Sequence, residues 1–307
     1  MNYYNQIKDL LISNEIHKKV KDYSKNKSDL DTYYNVGKLI VEAQGGEARA
    51  KYGKGLIKDF SKRLMVELKD KKYSYRNLMN MRKFYLLFKN ENVNALRSQL
   101  SWSHYRELLP INDMNIIKYY INQVIENNLS YRELGRIIRN NEYERLSIES
   151  KEKLINNDDF ELGDGIKNPI IINNKNNLDI NNIKEKVLQE LILDDLNYFL
   201  KQLGSGFSYI SNEYKIRMEN SYNYIDILLY NYIFKSFTVV ELKVTELKKD
   251  HIGQIQVYMN YIDKNVKQID DNKTIGLIVV KENNNYIIKY SSDNRIKSIE
   301  YKIKSEV

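Results

Sequence analysis

The sequence predicts an α+β chain in two parts, an all-helical first half followed by an α/β domain built around a central mixed sheet. Three observations predict it. Apolar residues recur at helical spacing from Gln6 to about Leu146. After residue 182 the elements read α-β-β-β-α-β, an order that stacks helices on a sheet. Charge divides along the same line. Residues 1–150 hold 27 Lys and Arg against 18 Asp and Glu, a balance of +9. Of the chain's 49 and 41, that leaves 22 against 23, or −1, for the rest.

In the first half the periodicity predicts helices near 5–24, 28–43, 54–70, 74–90, 101–109, 113–128 and 130–145. Ser130 and Glu133 form a Ser-x-x-Glu capping box that starts the last of these, and Ser74 is the expected N-cap of the fourth. The Gly-rich stretches at 44–47 and 52–55 separate the second helix from the third. This helical, basic part is expected to span residues 1–148. Residues 149–181 are rich in Asn, Asp and Gly and have few periodic apolar positions. They read as a solvated linker, with one short strand at Ile170–Ile172.

The second domain is expected over 182–307. Ile183–Leu203 reads as one amphipathic helix ended by Gly204. Strands follow at 207–218, 222–231 and 236–244, then a helix from Asp250 to about Tyr261, then strands near 274–281, 285–291 and 297–303.

Composition narrows the chemistry. The chain has no cysteine and only His17, His104 and His251, which excludes disulfides and thiolate metal sites and disfavours a histidine-rich zinc site. Any metal here is expected to sit among oxygen ligands, which favours Mg2+ or Mn2+. No window approaches 18 uncharged apolar residues, and the first residues lack the apolar core of a signal peptide. The expectation is a cytoplasmic protein with no membrane association.

Chemistry concentrates in two predicted strands, Tyr224-Ile-Asp-Ile-Leu-Leu-Tyr230 and Phe237-Thr-Val-Val-Glu-Leu-Lys-Val244. Alternation puts Glu241 and Lys243 on one face of their strand. A suitable register sets Asp226 beside Glu241. Unpaired charges in a buried sheet cost several kcal/mol, so three of them call for a function. Two carboxylates holding a divalent cation, and one ammonium that orients or helps deprotonate the attacking water and offsets charge building on the phosphorane, suit phosphodiester hydrolysis.

These segments resemble the PD-(D/E)XK nuclease superfamily, and in detail its YhcG-like bacterial family. Leu203-Gly-Ser-Gly-Phe-Ser208, Tyr224–Tyr230, Val240-Glu-Leu-Lys243 and Gly253-Gln254 carry the resemblance in the second half. In the first half it rests on Tyr52-Gly-Lys-Gly-Leu-Ile57, Arg76–Tyr85, Leu100-Ser-Trp-Ser-His-Tyr105 and Tyr131-Arg-Glu-Leu134. The resemblance implies a restriction-endonuclease-like second domain, metal binding by Asp226 and Glu241, and a catalytic Lys243. It also implies an approach to the site by Gln254 and to DNA by Tyr258, which share a helix face at i and i+4. Ile225 stands where many members have proline. An acidic residue of the first helix often completes the metal site. Glu185, Glu190, Asp194 and Asp195 qualify, and Glu190 is the expected one.

The basic half supplies an expected DNA surface. Twelve Lys and Arg lie between Lys51 and Lys89 against Asp59, Glu67 and Asp70. Lys54, Lys58 and Lys62 repeat at i+4 as one stripe, which Arg76, Arg82 and Lys83 extend. Trp102, the sole tryptophan, is expected to anchor a core.

The function expected is a metal-dependent deoxyribonuclease, an endonuclease of defence against foreign DNA or of recombination and repair. The alternative is a non-cleaving DNA-binding or protein-interaction subunit of such an assembly. Cutting two strands with one site per chain makes a homodimer attractive, and protein partners from a defence or recombination system fit the same setting.

Overall fold

A computed structural model of the chain describes residues 3–20, 25–46, 54–89, 100–174, 183–218, 221–289 and 293–305. The chain divides into two compact units, Met1–Tyr143 and Glu144–Val307.

The first unit is helical: α1 Tyr3–Val20, α2 Lys25–Ala43, α3 Lys54–Glu67, α4 Tyr75–Phe88, α5 Trp102–Leu108, α6 Met114–Asn127 and α7 Tyr131–Arg139. Its main core takes Ile7 and Leu11 from α1, Val36 and Ile40 from α2, Ile57 and Leu64 from α3, and Leu78 and Met81 from α4. These spacings of three, four and seven are one face of each helix. Helices α2 and α4 approach so closely that a Cβ on Gly37 would stand 2.2 Å from the Met81 carbonyl oxygen. Only glycine fits there. Phe84 carries α5, with its ring 4.8 Å from Tyr105 and 5.5 Å from Trp102 between centroids.

Capping follows the sequence in part. At α7, Glu133 N donates to the Ser130 hydroxyl and Ser130 N to the Glu133 carboxylate at 2.9 Å, a closed box. Ser74 does stand at the N-cap of α4, but its side chain makes no capping bond. The sequence passes from α3 to α4 through a 3-10 turn, Lys71–Tyr73, which Asp70 caps by accepting from Lys72 N at 2.8 Å.

The second unit contains α8 Ile148–Asn156, β1 Ile170–Asn174, α9 Glu185–Asp194, α10 Leu196–Leu203, β2 Phe207–Met218, β3 Ser221–Asn231, β4 Ser236–Glu246, α11 Lys249–Asn265, β5 Ile275–Glu282, α12 Asn285–Lys289 and β6 Ile296–Ser305. Its sheet runs β1-β6-β5-β4-β3-β2. β1, β6, β5 and β4 are parallel neighbours, while β3 and β2 pair antiparallel. One core lies between the sheet and α9 and α10, and a second between the sheet and α11. Strands buried on both faces read as the apolar runs seen at Ile225–Leu229 and Ile275–Val280.

Three expectations need correction. The segment read as a linker, 149–181, carries most of α8 and the sheet strand β1, so much of it is folded structure of the second unit. Ile170 and Ile172 are buried in the core, and Gln202 bonds both backbone groups of Ile171, at 2.7 and 2.8 Å, which protects this edge strand. The helix expected over 183–203 is two helices. The break falls at Asp195, which leaves helical geometry at φ −130 and ψ 45 and accepts from the Asn173 side chain at 2.8 Å. Of the strand expected at 285–291, residues 285–289 form the short helix α12 and the last two lie outside the described residues. Asn284 O accepts from Ile287 N at 3.1 Å and turns the chain, while Ile287 and Ile288 still pack on the α11-side core.

Candidate active site

The site forms where two strands part. β3 pairs with β4 only from Asn231, opposite Ser236, to Ile227, opposite Val240. Past that point β3 continues with β2 alone, down to Ser221. Asp226 is therefore the first residue of β3 beyond the fork, and Glu241 the first of β4. The two carboxylates face each other across an opening that backbone pairing has vacated.

The alternation of β3 breaks at the same place. Ile225 and Leu228 both join the α11-side core, whereas Ile227 and Leu229 join the other. Strict period two would put Ile225 and Leu228 on opposite faces. Across on β2, Glu213 sits at φ 49, between Asn212 opposite Ile227 and Tyr214 opposite Ile225. This kink carries the Asp226 carboxylate to β4, where Oδ2 accepts from Leu242 N at 2.7 Å. The side chain satisfies an amide that the ladder has released. Gln189 of α9 fixes the same turn of chain by donating to the Asp226 carbonyl at 2.8 Å.

Glu241 is 2% and Lys243 9% exposed. Lys243 Nζ donates to Glu241 Oε1 at 2.8 Å and lies 3.7 Å from Glu185 Oε1. Gln254 of α11 donates to that same Glu241 oxygen at 2.8 Å and to the Tyr258 hydroxyl at 3.0 Å. Glu241 Oε2 is buried without a hydrogen-bond partner among the described residues.

The electrostatics follow from this crowding. Burial, and then the Asp226 charge, push the Glu241 carboxyl up to about 7, although Lys243 pulls it down. Burial raises Asp226 too, against the pull of the Leu242 amide and Lys243, while Glu185 and Glu213 push it further up. Burial disfavours the Lys243 ammonium, but its hydrogen bond to Glu241 and the carboxylates around it outweigh this and hold it protonated. His251 is kept neutral by burial and by Lys243 and Lys248; its Nδ1 accepts from Lys248 N at 3.2 Å and caps the start of α11.

Two acids short of positive charge and one buried orphan oxygen suit a hard cation. Asp226 and Glu241 would hold it. Among the described residues no group of three His, Cys, Asp or Glu side chains forms a complete cage. Water and substrate oxygens would fill the remaining positions, as is usual for magnesium.

The structure therefore brings Asp226, Glu241, Lys243 and Gln254 together. It does not bring Glu190, which is exposed on α9. Glu185, one turn before the buried Leu188 and Gln189, is the α9 acid at the site. Tyr258 is 5% exposed and packs in the α11-side core, so it supports Gln254 and is not placed to meet DNA. In the first unit Lys58, Lys62 and Arg76 are exposed and Lys83 half-buried. Arg82 Nε donates to Gln44 at 2.6 Å. The side chain of Lys54 lies outside the described residues. No described helix is long and apolar enough to cross a membrane.

Comparison with known proteins gives the family. The YhcG protein of Escherichia coli (strain K12) is 27% identical over 288 residues, covering 82% of this chain and 76% of that protein. Two solved structures, a repair endonuclease from Pyrococcus abyssi and a complex of EndoMS with double-stranded DNA, are each 14% identical with a TM-score of 0.28. The match covers 42% of this chain and 50% and 48% of theirs, so the chain spans about half the length of those structures. Residues 11–145 match the DUF1016 N-terminal domain and residues 165–305 the YhcG PDDEXK nuclease domain. With both domains present in order, the chain belongs to the YhcG-like family of PD-(D/E)XK nucleases.

Proposed function

We propose that this protein is a metal-dependent nuclease that hydrolyses phosphodiester bonds in DNA. We infer that it acts as an endonuclease, in defence against foreign DNA or in recombination and repair. The observation that carries this reading is the meeting of Asp226, Glu241 and Lys243 at the β3–β4 fork, with a buried oxygen of Glu241 that has no hydrogen-bond partner among the described residues. Asp226 and Glu241 would hold Mg2+ or Mn2+, which supplies Lewis-acid charge to a phosphoryl oxygen and to the attacking water. Lys243, held as an ammonium, is suited to offset negative charge that builds on the phosphoryl group, and not to act as a base. Gln254 fixes the Glu241 carboxylate by donating to one of its oxygens. Lys58 and Lys62, exposed on α3, supply sequence-independent attraction to the DNA backbone. A homodimer would place two such sites for cutting both strands.

The test incubates supercoiled, linear and branched DNA with the full chain in magnesium, beside Asp226→Ala and Lys243→Ala. Cleavage by the unmodified chain alone is expected. Equal behaviour of all three across divalent ions would sink the catalytic reading and leave a DNA-binding or protein-interaction subunit.

A further inference from the structure

The first unit carries an open cleft of about 320 Å³, lined by Arg76, Asn77 and Asn80 of α4, Trp102 and Arg106 of α5, and Lys72. Its volume lies at the low end of the roughly 300–1,000 Å³ typical of small-ligand sites. Among the described residues no acidic side chain lines it. Lys72 is already matched, by Glu15 at 2.5 Å and Asp70 at 3.0 Å. Arg76 and Arg106 are exposed and have no acidic partner among the described residues. Two guanidinium forks without a counter-ion suit a phosphate, which they can grip in bidentate fashion.

The wall beside them suits a planar ring. Trp102 is half-buried, and it is held in place on two sides. Its ring lies 4.9 Å from Tyr33 between centroids, and its Nε1 donates to Asn77 Oδ1 at 3.4 Å. Asn77 is itself tied down by donating to Lys72 O at 2.8 Å. Asn77 is thus spent on orienting the indole. The Asn80 amide, half-buried in the same wall, has no hydrogen-bond partner among the described residues. It offers one donor and one acceptor, the complement of a nucleobase edge.

We propose that this cleft binds one phosphate-bearing nucleotide, with Arg76 and Arg106 on the phosphate, Trp102 against the base and the Asn80 amide on the base edge. The ligand is a free nucleoside monophosphate or an unpaired nucleotide of a strand, and the chemistry of recognition is the same. The site goes beyond the proposed cleavage function, because all of its residues belong to the first unit and binding needs no divalent cation.

Trp102 is the chain's only tryptophan beside 26 tyrosines, so fluorescence excited beyond the tyrosine absorption band reports on this wall alone. The full chain is titrated in chelator with deoxyadenosine monophosphate, deoxyadenosine, inorganic phosphate and a 5′-phosphorylated single-stranded oligonucleotide. Saturable quenching by the monophosphate and the oligonucleotide is expected, with far weaker quenching by deoxyadenosine and competition without quenching by inorganic phosphate. Arg76→Ala and Arg106→Ala are each expected to lower affinity roughly tenfold, the loss typical of one hydrogen bond to a charged group. Both arginines are exposed, so circular dichroism of these variants should match the unmodified chain. Tighter binding of the oligonucleotide assigns the cleft to a strand, and equal binding assigns it to the free nucleotide. No saturable quenching by either probe, or unchanged affinity in the double arginine variant, overturns the proposal. Asp226→Ala is expected to bind like the unmodified chain, so failure of the nuclease reading leaves this result standing.

Discussion

Asp226 accepts the backbone amide of Leu242 at 2.7 Å, across the fork where β3 leaves β4. One carboxylate thus does two jobs: it caps a strand that has lost its partner, and it presents charge beside Glu241. The two jobs separate on substitution. Asp226→Asn keeps an acceptor for Leu242 and relieves repulsion with Glu241, while Asp226→Ala strands a buried amide at a cost of about 1–3 kcal/mol. Both variants are expected to lose cleavage. In thermal unfolding without divalent cation, Asp226→Asn should unfold at or above the temperature of the unmodified chain and Asp226→Ala clearly below it. Identical melting of the two variants would show that the Leu242 bond does not hold the fork.

The raised Glu241 carboxyl makes stability depend on pH in a defined direction. Its folded value of about 7 lies above its ordinary 4.5, so between these the folded chain keeps a proton that the unfolded chain releases. This contribution is full below about pH 4.5 and is lost as pH rises through 7. Asp226 shifts the same way; the lowered His251 opposes this pair by gaining stability as pH rises toward its ordinary 6.5, one group against two, and the lowered carboxyls Glu67, Glu149 and Asp293 lose their contribution only as pH falls below their ordinary range. The melting temperature without cation should therefore drop between pH 5 and pH 8. Millimolar magnesium should restore it more at pH 8 than at pH 5, since the ion binds the ionised pair. Glu241→Gln should flatten both trends. A cation-free melting temperature that stays level or rises over this window contradicts the assignment.

Much of this site is legible in the sequence because a strand's period of two is rigid. It puts Glu241 and Lys243 on one face of β4, whereas Asp226 lies beyond the last β3–β4 pair and reaches them through the break in alternation opposite Glu213, which period two does not encode. The helix contribution was also encoded, though in a weaker signal. Leu188, Leu191 and Ile192 mark the inward face of α9, and Glu185 lies at i−3, i−6 and i−7 from them, whereas Glu190 falls outside that arc. Glu185 was therefore recoverable from periodicity. The break at Asp195 was not, because it depends on Asn173, a residue distant in sequence that holds its side chain. Tyr258 misled for a different reason. An i, i+4 pair fixes which residues share a helix face but not whether that face meets solvent, and here it meets the α11-side core.

Gln254 and Tyr258 form a relay onto Glu241, and each link has its own expected effect. Gln254→Ala removes one of two donors from Glu241 Oε1 and leaves Lys243 alone there. The ionised form of Glu241 loses support, so the acidic limb of the cleavage profile should move to higher pH. The rate at neutral pH should fall by about ten- to a hundredfold, the range for a hydrogen bond to a charged group. Tyr258→Phe removes only the second acceptor of Gln254, and its effect should be the smaller of the two with the same sign. Single-turnover cleavage measured from pH 6 to 9 separates these outcomes. A drop in rate without movement of the profile would mean that Gln254 acts on substrate and not through Glu241.

The lysine stripe on α3 makes a prediction that cleavage cannot confound. Lys58 and Lys62 are exposed, and Lys58 Nζ rests 5.9 Å from the Tyr75 ring, which leaves its ammonium at the surface. Each phosphate neutralised by such a cation releases counterion and adds about 0.9 to the slope of log affinity against log salt on duplex DNA. Replacing both lysines with glutamate should therefore flatten that slope by roughly two and weaken binding at low salt, with little dependence on DNA sequence. Binding is measured in chelator, so the state of the β3–β4 fork does not enter. An unchanged slope would remove Lys58 and Lys62 from the DNA surface. A flattened slope with cleavage preserved at very low salt would separate the helical unit's part, holding the backbone, from the chemistry carried by Asp226, Glu241 and Lys243.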